Sequence, residues 1–394
     1  MTMFQFTIQS RCGKARRGEL MTPHGTVQAP AFMPVGTAGT VKGVTPDQLA
    51  ATGAEMILAN TYHLLLRPGP ETIAKLGGLH AVMAWAGPIL TDSGGYQVFS
   101  LSHRRKIDDR AVVFQSHIDG SKVEMTPESA VETQQLLGAD IIMQLDECPP
   151  IPAEKSHVAA AVRRSAAWAA RCRDAWQAPT DRVRALRPDA TEQALFGIQQ
   201  GGLHIDLREQ SAEALVKLDL PGYAVGGLSV GEGHDAMVGV LTRLDAMLPR
   251  HKPRYLMGVG EPRDILAAVA AGIDMFDCVM PTRNGRNAQA FTWRGRVKLR
   301  NAVHAADRRP LEDGCGCYTC RHFSRGTLRH YFMAGEMLGP TLVTIHNLHF
   351  FATFMRAIRQ AVVEENLPAR TAMWLEQMYP SSTNPNDEAR MTNQ

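Results

Sequence analysis

Polar side chains follow several short apolar runs of this sequence, at or within one residue of the end of each run. They are Asn60, Asp92, Asp146, Gln200 and Asp277. One polar residue after a strand is commonly a turn former, but three carboxylates among five such positions indicate a shared site. Two carboxylates at one site can act as a nucleophile and a general acid/base, the chemistry of a double-displacement glycosyl transfer. We therefore identify Asp92 and Asp277 as the candidate catalytic residues.

A purine base is a ligand that the remaining polar residues suit. Two glycines follow Ser93, and they let a flat ligand approach closely and expose backbone amides. Asp146 can accept hydrogen bonds from ring and amino N–H groups, whereas the Gln200 amide can both donate and accept. Together with the amides near residues 226–228 they suit the Watson–Crick edge of a purine, although the spacing alone leaves each contact open.

Three of the seven cysteines, Cys315, Cys317 and Cys320, lie within six residues. In a reducing compartment, cysteines grouped in this way are more often metal ligands than unrelated thiols. A histidine about one helix further along, His346 or His349, would complete a tetrahedral shell of three thiolates and one imidazole. A closed shell of this type serves folding rather than catalysis, so we expect one structural Zn²⁺ per chain.

The positive charge of the chain is concentrated around this cysteine cluster. The whole chain carries a formal net charge of +3, from 42 Lys and Arg against 39 Asp and Glu. Residues 278–330 contain eleven Lys or Arg and three acidic residues, a net of +8, which leaves −5 for the rest. An ordinary solvated surface is the alternative explanation, but an arginine-rich stretch suits the binding of phosphate groups.

Eight apolar or β-branched runs alternate with helical segments between residues 30 and 277, the pattern of repeated βα units around a parallel sheet. Eight units favour a closed (β/α)8 TIM barrel over an open sheet, and the active site of such a barrel lies where its strands end. The predicted strands are 31–35, 55–59, 88–91, 141–145, 195–199, 223–226, 254–259 and 273–276.

Local patterns predict several further elements. Thr45 and Thr126 each precede a proline and an acidic residue, which predicts a helix N-cap at both positions. Residues 154–174 predict a long helix packed outside the barrel, and residues 291–296 predict a hairpin.

The chain is expected to have four parts. Residues 1–277 are expected to form the catalytic barrel with N-terminal β elements, and residues 278–345 an inserted, basic, zinc-binding subdomain. Residues 346–380 are expected to be a C-terminal helical region that completes the barrel, and residues 381–394 a flexible tail.

Composition and hydropathy exclude several classes of protein. With 44% hydrophobic and 21% charged residues, the chain is globular rather than disordered or fibrous. Residues 1–10 lack a basic segment followed by an apolar stretch, and no run approaches the roughly 18 apolar residues of a membrane span. Neither a secretory signal nor a membrane partner is expected, and the protein is expected to be cytoplasmic.

Taken in order, the motifs resemble those of the bacterial tRNA-guanine transglycosylases, also called queuine tRNA-ribosyltransferases, over almost the whole chain. The motifs are PVGT at 34–37, NTYHL at 60–64, DSGGYQ at 92–97, QQGG at 199–202, AVGGL at 224–228, FDCVMPTR at 276–283, and the cysteine cluster with His346. So many separate motifs in one order make the resemblance specific.

The resemblance implies a (β/α)8 barrel with a zinc-binding insertion, working as a homodimer on the anticodon loop of tRNA. It implies that Asp277 is the nucleophile, that Asp92 is the general acid/base and that His346 is the fourth zinc ligand. It also implies a set of residues that bind the base, with Tyr96 and Met257 on its two faces: Ser93, Gly94, Gly95, Tyr96, Asp146, Gln200, Gly227, Leu228 and Met257.

Two segments are implied to contact RNA near the wobble base. Many bacterial members carry a lysine where this chain has Glu261, which weakens the expectation of an RNA contact at that position. The implied RNA-binding residues are Gly258, Val259, Gly260, Arg263, Asp264, Thr282, Arg283, Asn284, Gly285 and Arg286.

The implied reaction replaces guanine at the wobble position of tRNAs with GUN anticodons (Asp, Asn, His and Tyr) by 7-aminomethyl-7-deazaguanine, in queuosine biosynthesis. It proceeds by double displacement through a covalent tRNA intermediate on Asp277. Val230 and Cys148 resemble the bacterial pocket, which takes this small base rather than the bulkier queuine.

Other functions remain as alternatives. They are an archaeosine-type or queuine-inserting transglycosylase, a non-catalytic tRNA-binding paralogue, and a barrel glycosidase without an RNA partner. The presence of both Asp92 and Asp277 argues against the paralogue, and the basic insertion argues against the glycosidase. A short polar tail in place of an RNA-binding extension argues against the archaeosine type.

Overall fold

The structure, a computed structural model, describes residues 4–101 and 105–380. Its strands, in chain order, are β1 (Gln5–Cys12), β2 (Ala15–Thr22), β3 (Gly25–Ala29), β4 (Ala31–Met33), β5 (Val35–Gly36), β6 (Ile57–Ala59), β7 (Ile89–Thr91), β8 (Arg105–Ile107), β9 (Val112–Gln115), β10 (Lys122–Met125), β11 (Ile141–Met143), β12 (Ala194–Gln199), β13 (Gly222–Val225), β14 (Arg254–Leu256), β15 (Met275–Asp277), β16 (Gln289–Thr292) and β17 (Gly295–Lys298).

The helices, in chain order, are α1 (Pro46–Ala51), α2 (Thr61–Leu66), α3 (Pro70–Lys75), α4 (Gly78–Met83), α5 (Gly95–Leu101), α6 (Pro127–Leu137), α7 (Lys155–Gln177), α8 (Asp181–Leu186), α9 (Ile205–Val216), α10 (His234–Leu241), α11 (Leu244–Met247), α12 (Pro262–Ala270), α13 (Met280–Arg286), α14 (Tyr318–His322), α15 (Arg325–Ala334), α16 (Leu338–Val363) and α17 (Leu367–Met378). Two short 3₁₀ helices span Ala190–Glu192 and Ala302–His304.

A closed parallel barrel is the centre of the fold. One sheet contains nine strands in the order β4, β15, β14, β13, β12, β11, β7, β6, β5. Because β4 and β5 are consecutive segments on either side of Pro34, the two ends of this sheet are one interrupted strand. The Pro34 carbonyl accepts a hydrogen bond from the Leu58 N–H at 2.9 Å, which continues the pairing across the interruption. The predicted eight-stranded barrel is therefore confirmed, with each predicted strand in place.

Each barrel strand is buried on both faces, because its side chains alternate between two apolar clusters. On β6, Leu58 belongs to the cluster that includes Phe196 and Met143, whereas Ile57 and Ala59 belong to the larger cluster shared with the helices. Strands that are buried on both faces are continuous apolar runs in the sequence, and these runs made the strands predictable. A polar residue at the end of such a run is therefore easy to identify.

The predicted helix starts are also confirmed. Thr45 and Thr126 cap α1 and α6 through their side chains, each in a capping box with a proline in the first turn. The predicted long helix is α7, and the predicted hairpin is the antiparallel pair of β16 and β17.

The helix α16 joins the insertion to the barrel. Its first half places Leu342 and Val343 in the small core of the insertion, and its second half places Phe351 and Phe354 in the core of the barrel. The Phe351 ring lies 4.6 Å from the ring of Phe32 on the first barrel strand. Because α16 begins at Leu338, the predicted boundary at residue 346 falls inside one continuous helix.

Two small antiparallel sheets accompany the barrel. One is formed by β1, β2 and β3 before the first barrel strand, and the other by β8, β9 and β10 between β7 and α6. The first corresponds to the N-terminal β elements expected within residues 1–277, whereas the second was not predicted from the sequence. Within 4–101 and 105–380, no helix is both long and apolar enough to cross a membrane. The predicted tail at 381–394 lies outside the described residues.

Candidate functional site

Asp92 lies directly after β7, at the carboxyl end of the barrel. The Asn60 side chain donates from Nδ2 to Asp92 Oδ2 at 2.5 Å, and the Thr61 N–H donates to Oδ1 at 2.8 Å. Asn60 also caps α2, because its Oδ1 accepts from the His63 N–H at 3.1 Å. Asp92 is only 8% exposed, so two neutral donors hold a buried carboxylate in one orientation.

Asp277 ends β15 at the same end of the barrel, and it accepts from two donors, one on β14 and one in the loop that follows β14. The Tyr255 hydroxyl donates to Asp277 Oδ1 at 2.6 Å, and the Gly258 N–H donates to the same oxygen at 2.7 Å. Both hydrogen bonds end on Oδ1, which leaves Oδ2 as the oxygen that can react with a ligand.

Asp146, three residues after β11, forms the centre of a polar pocket. Its Oδ1 accepts from Ser93 Oγ at 2.9 Å, and its Oδ2 accepts from Gln200 Nε2 at 2.7 Å. A Cβ on Gly95 would lie 2.7 Å from the Asp146 carbonyl oxygen, so only glycine fits there. Gln200 Oε1 is buried and has no hydrogen-bond partner among the described residues, so it is an acceptor available to a ligand.

The remaining residues of the expected base site differ in burial. Leu228 is buried next to Gly227, and a Cβ on Gly227 would lie 3.8 Å from the buried Cys148 thiol. Burial raises the pKa of Cys148 to about 12, so the thiol is neutral. Tyr96 is exposed in the first turn of α5. Met257 directly follows β14 and is half-buried.

Burial dominates the electrostatics of the site. It raises the pKa of Asp92 to about 7; the Thr61 N–H opposes this rise, and the nearby charge of Asp277 adds to it. Burial also raises the pKa of Asp146 to about 6, and it raises the pKa of Asp277. A carboxyl group with a pKa near 7 is suited to both giving and taking a proton at neutral pH.

Two residues of the site were not predicted from the sequence. Tyr255 is an interior residue of an apolar strand, and nothing in the pattern marks it as the donor to Asp277. Arg208 is fully buried on α9, and it donates to the carbonyls of Gln199 at 3.0 Å and Gly202 at 2.9 Å. Arg208 thus holds the loop that carries Gln200. The signal in the sequence that could have found it is an arginine among the apolar residues of α9.

The expected RNA-binding residues lie in two segments beside Asp277, the loop between β14 and α12 and the helix α13. Gly258, Arg263 and Arg283 are exposed, whereas Asn284, Arg286 and Asp264 are half-buried. Val259, Gly260, Thr282 and Gly285 are buried, so they offer little surface to an RNA ligand. Asp264 is paired with His234, Oδ1 to Nδ1 at 2.6 Å.

The three clustered cysteines and His346 form a compact donor set. The distances from His346 Nδ1 to the sulfurs of Cys315, Cys317 and Cys320 are 3.8, 3.5 and 3.3 Å. A tetrahedral Zn²⁺ with ordinary bond lengths places sulfur and nitrogen ligands about 3.6 Å apart. His346 Nε2 lies 2.8 Å from the Phe291 carbonyl, a second contact that orients the ring. The residues therefore fit a metal ion, with His346 rather than His349 as the fourth ligand.

A second group of potential ligands lies at the opposite end of the barrel, where Asp140 precedes β11. His24 Nδ1 lies 2.8 Å from Asp140 Oδ1, and His80 Nε2 lies 3.2 Å from Oδ2. The two imidazole rings are stacked, with centroids 3.6 Å apart and planes at 14°. An imidazole nitrogen binds a metal ion in the plane of its ring, and one ion cannot lie in the planes of two stacked rings. This group is therefore a structural contact of two histidines with Asp140.

Comparisons with known proteins identify one family. The profile of the family described as queuine tRNA-ribosyltransferase matches residues 11–380. The chain is 53% identical to the queuine tRNA-ribosyltransferase of Zymomonas mobilis over 361 residues, 92% of each protein. It is 51% identical to that of Thermus thermophilus over 364 residues, 92% of this chain and 91% of the relative. For the protein from Synechococcus elongatus the identity is 50% over 378 residues, 95% and 96% of the two chains.

Proposed function

Because the chain belongs to the queuine tRNA-ribosyltransferase family and is thus a tRNA-guanine transglycosylase, a pentosyltransferase, we propose that it replaces guanine at the wobble position of tRNAs with GUN anticodons. The observation that carries the proposal is that Asp92 and Asp277 both lie at the carboxyl end of the barrel. Each carboxylate accepts hydrogen bonds from neutral donors. The tRNAs are those for Asp, Asn, His and Tyr.

Two displacements at one carbon account for the exchange. Oδ2 of ionised Asp277 attacks C1′ of nucleotide 34, the bond from C1′ to guanine N9 breaks, and protonated Asp92 delivers a proton to the departing base. The incoming base then loses its N9 proton to Asp92, and N9 displaces the Asp277 carboxylate from C1′. Each step inverts C1′, so the β-linkage is retained overall. No nucleotide triphosphate is consumed, because one glycosidic bond replaces another.

The polar pocket would bind the base. The Asp146 carboxylate can accept from the ring and amino N–H groups of guanine, and the free Gln200 Oε1 offers a further acceptor. Tyr96 and Met257 would cover the two faces of the base, with Leu228 and the Gly227 amide at its edge. The target nucleotide must leave the anticodon stack to reach this depth, which costs little in a single-stranded loop.

The surface beside Asp277 would bind the anticodon phosphates. Arg263 and Arg283 are exposed there, and Arg286 has a buried Nη1 with no hydrogen-bond partner among the described residues. A buried N–H donor without a partner is costly, so a phosphate oxygen supplied by the ligand would satisfy it. RNA contacts from the backbone of Gly258 and from Asn284 would continue this surface.

The metal would be a structural Zn²⁺ held by Cys315, Cys317, Cys320 and His346. Bound there, the ion would cross-link α14 to α16 and so fix the insertion beside the mouth of the barrel. It takes no part in the glycosyl transfer, because its ligands are protein groups in a closed shell.

The incoming base is proposed to be 7-aminomethyl-7-deazaguanine. Cys148 is buried beside Gln200 and Gly227, and the Val230 N–H donates to Glu232 Oε2 at 2.9 Å; both residues match the bacterial pocket, which takes this small base. A competition of this base, queuine and guanine for entry into tRNA tests the choice. Preferential entry of queuine would instead make the chain a queuine-inserting enzyme.

A cytoplasmic homodimer is the proposed form of the enzyme. Met333, Met337 and Leu338 are 56%, 85% and 45% exposed around the turn from α15 to α16. An exposed apolar cluster of this kind is typical of an association surface. Light scattering coupled to size exclusion measures the mass in solution, and a monomer at micromolar concentration would contradict the dimer.

Incubation of the purified chain with radiolabelled guanine and unmodified tRNAs tests substrate and position together. Label should enter only tRNAs with a GUN anticodon, and label in other tRNAs would refute the substrate assignment. Asp277→Ala should abolish the exchange, and wild-type rates in that variant would refute the role of Asp277. A denaturing gel should show a protein–tRNA adduct when the second step is blocked, and its absence would favour direct displacement by the incoming base.

A further inference from the structure

A side-chain cluster outside the catalytic pocket joins three separate elements. The Glu261 carboxylate, at the start of α12, accepts from Arg296 Nη2 of β17 and from the hydroxyl of Tyr379, which follows α17. We name these three residues the Glu261 cluster. Glu261 is the N-cap of α12, yet its side chain makes no capping hydrogen bond. The carboxylate is therefore committed to the other two elements rather than to its own helix.

Arg296 is itself fixed in several directions. Its guanidinium lies over the Phe291 ring, 5.0 Å from the centroid, and its Nη1 lies 3.4 Å from Gln289 Oε1. The same Gln289 oxygen accepts from Asn284 of α13 at 2.9 Å. The Glu261 side chain is 16% exposed and that of Arg296 is 37% exposed, so water screens part of their pairing. The additional contacts of Arg296 with Phe291 and Gln289 fix its position, and the cluster connects β17 of the insertion to α12 of the barrel.

The segment that ends at Glu261 also holds the nucleophile. It begins with Gly258, whose N–H donates to Asp277 Oδ1 at 2.7 Å. It continues through Gly260, which packs so closely that a Cβ there would lie 2.4 Å from the Cβ of Cys278. A shift of Glu261 would move Gly260 against Cys278 and pull the Gly258 amide away from Asp277.

We propose that the Glu261 cluster is a positioning device for Asp277, with Arg296 and Tyr379 as positioning residues for the transfer reaction. They act through the 258–261 loop. This loop fixes the position of the Gly258 N–H, and the hydrogen bond from that N–H orients the Asp277 carboxylate and stabilises its ionised form. The inference rests on the proposed function of Asp277. The proposal also gives Glu261 a role. A lysine at the same position, which many bacterial members carry, would instead be able to contact RNA.

The test compares Arg296→Met and Tyr379→Phe with the wild-type enzyme in guanine exchange. Arg296→Met removes the guanidinium but keeps an unbranched side chain of similar length, and Tyr379→Phe keeps the ring. The value of kcat should fall about tenfold for Arg296→Met, and less for Tyr379→Phe, because a small displacement of a reacting group is costly. KM for tRNA should stay within about twofold of wild type, since no RNA contact is removed.

The pH profile separates positioning from a general loss of stability. A weaker hydrogen bond from Gly258 destabilises the ionised form of Asp277 and raises its pKa. The acid limb of kcat/KM should therefore move to higher pH by about half a unit, a threefold change in the proton-binding constant. Arg110→Met, which removes the exposed pair of Arg110 with Glu124, is the matched control and should leave both the limb and kcat unchanged.

Three results would overturn the proposal. The first is a wild-type kcat in both variants. The second is a raised KM for tRNA with unchanged kcat, which would make Arg296 an RNA contact. The third is an unshifted acid limb together with a lowered thermal midpoint, which would reduce the cluster to a structural role. If Asp277→Asn keeps full exchange, the proposed function of Asp277 fails first, whatever the cluster variants show.

Discussion

Replacement of Asn60 by serine should move the alkaline limb of the pH profile, and this follows from the contacts of Asp92. The Asn60 amide stabilises the ionised form of Asp92 through a 2.5 Å hydrogen bond. Serine is too short to reach the carboxylate, but it can still cap α2. The change therefore removes one donor to Asp92 and leaves the helix start intact.

The magnitude follows from the value of a hydrogen bond to a buried charge. Such a bond contributes about 1.5–3 kcal/mol, and one pKa unit corresponds to about 1.4 kcal/mol. Asp92 is buried, so screening by water is weak, although a water molecule can replace part of the lost bond. We expect its pKa to rise from about 7 by about one unit. The departure of guanine needs protonated Asp92, so exchange should persist to higher pH in the variant.

The assay is the pH dependence of kcat/KM for tRNA in guanine exchange, which reports groups of the free enzyme. The alkaline limb of Asn60→Ser should lie about one pH unit above that of wild type, with the acid limb of Asp277 unchanged. Thermal unfolding of the two proteins should be similar, because the cap is retained. An unmoved alkaline limb in a folded variant would refute Asp92 as the proton donor.

Three further predictions concern other parts of the molecule. Cys320→Ser should remove the bound zinc, measured by elemental analysis, and lower the thermal midpoint by about 5 °C, whereas an unchanged metal content would exclude Cys320 as a ligand. Gly95→Ala, whose Cβ would lie 2.7 Å from the Asp146 carbonyl oxygen, should raise KM for guanine at least about tenfold without unfolding the protein. The hydrogen bond to Asp140 raises the pKa of His24, so its stabilising contribution is complete below pH 6.5 and is lost as the pH rises through the folded pKa. His24→Gln should therefore flatten the pH dependence of the thermal midpoint on the alkaline side of pH 6.5, and an unchanged dependence would contradict this coupling.

The positions that were predictable from the sequence share a physical cause. Asp92 follows a fully buried strand, and Asp277 ends a strand whose other two residues are buried, so each polar residue interrupts an apolar run. The sheet of β8, β9 and β10 lacks such a contrast, because its strands are three or four residues long and partly exposed. Tyr255 was not predicted, because a tyrosine is ordinary in an apolar strand. Its hydroxyl donates to Asp277, a residue that is near it in space but not in the sequence.

The chain pairs its buried carboxylates in two different ways. At the site of the proposed chemistry, Asp92, Asp146 and Asp277 accept hydrogen bonds from neutral amides and hydroxyls. Elsewhere the partners are cationic or can become so. Hydrogen bonds from His24 and His80 outweigh burial and hold the pKa of Asp140 well below its usual range.

This difference decides which carboxylates can exchange protons near neutral pH. A cationic partner would lower the pKa of Asp92 by favouring its ionised form, and the group could no longer return a proton to a leaving base. Neutral donors fix the geometry while burial keeps the pKa of Asp92 near 7. The exposed Arg283 beside Asp277 would then bind phosphate, as proposed above, without a charge next to Asp92 that would suppress its acid/base chemistry.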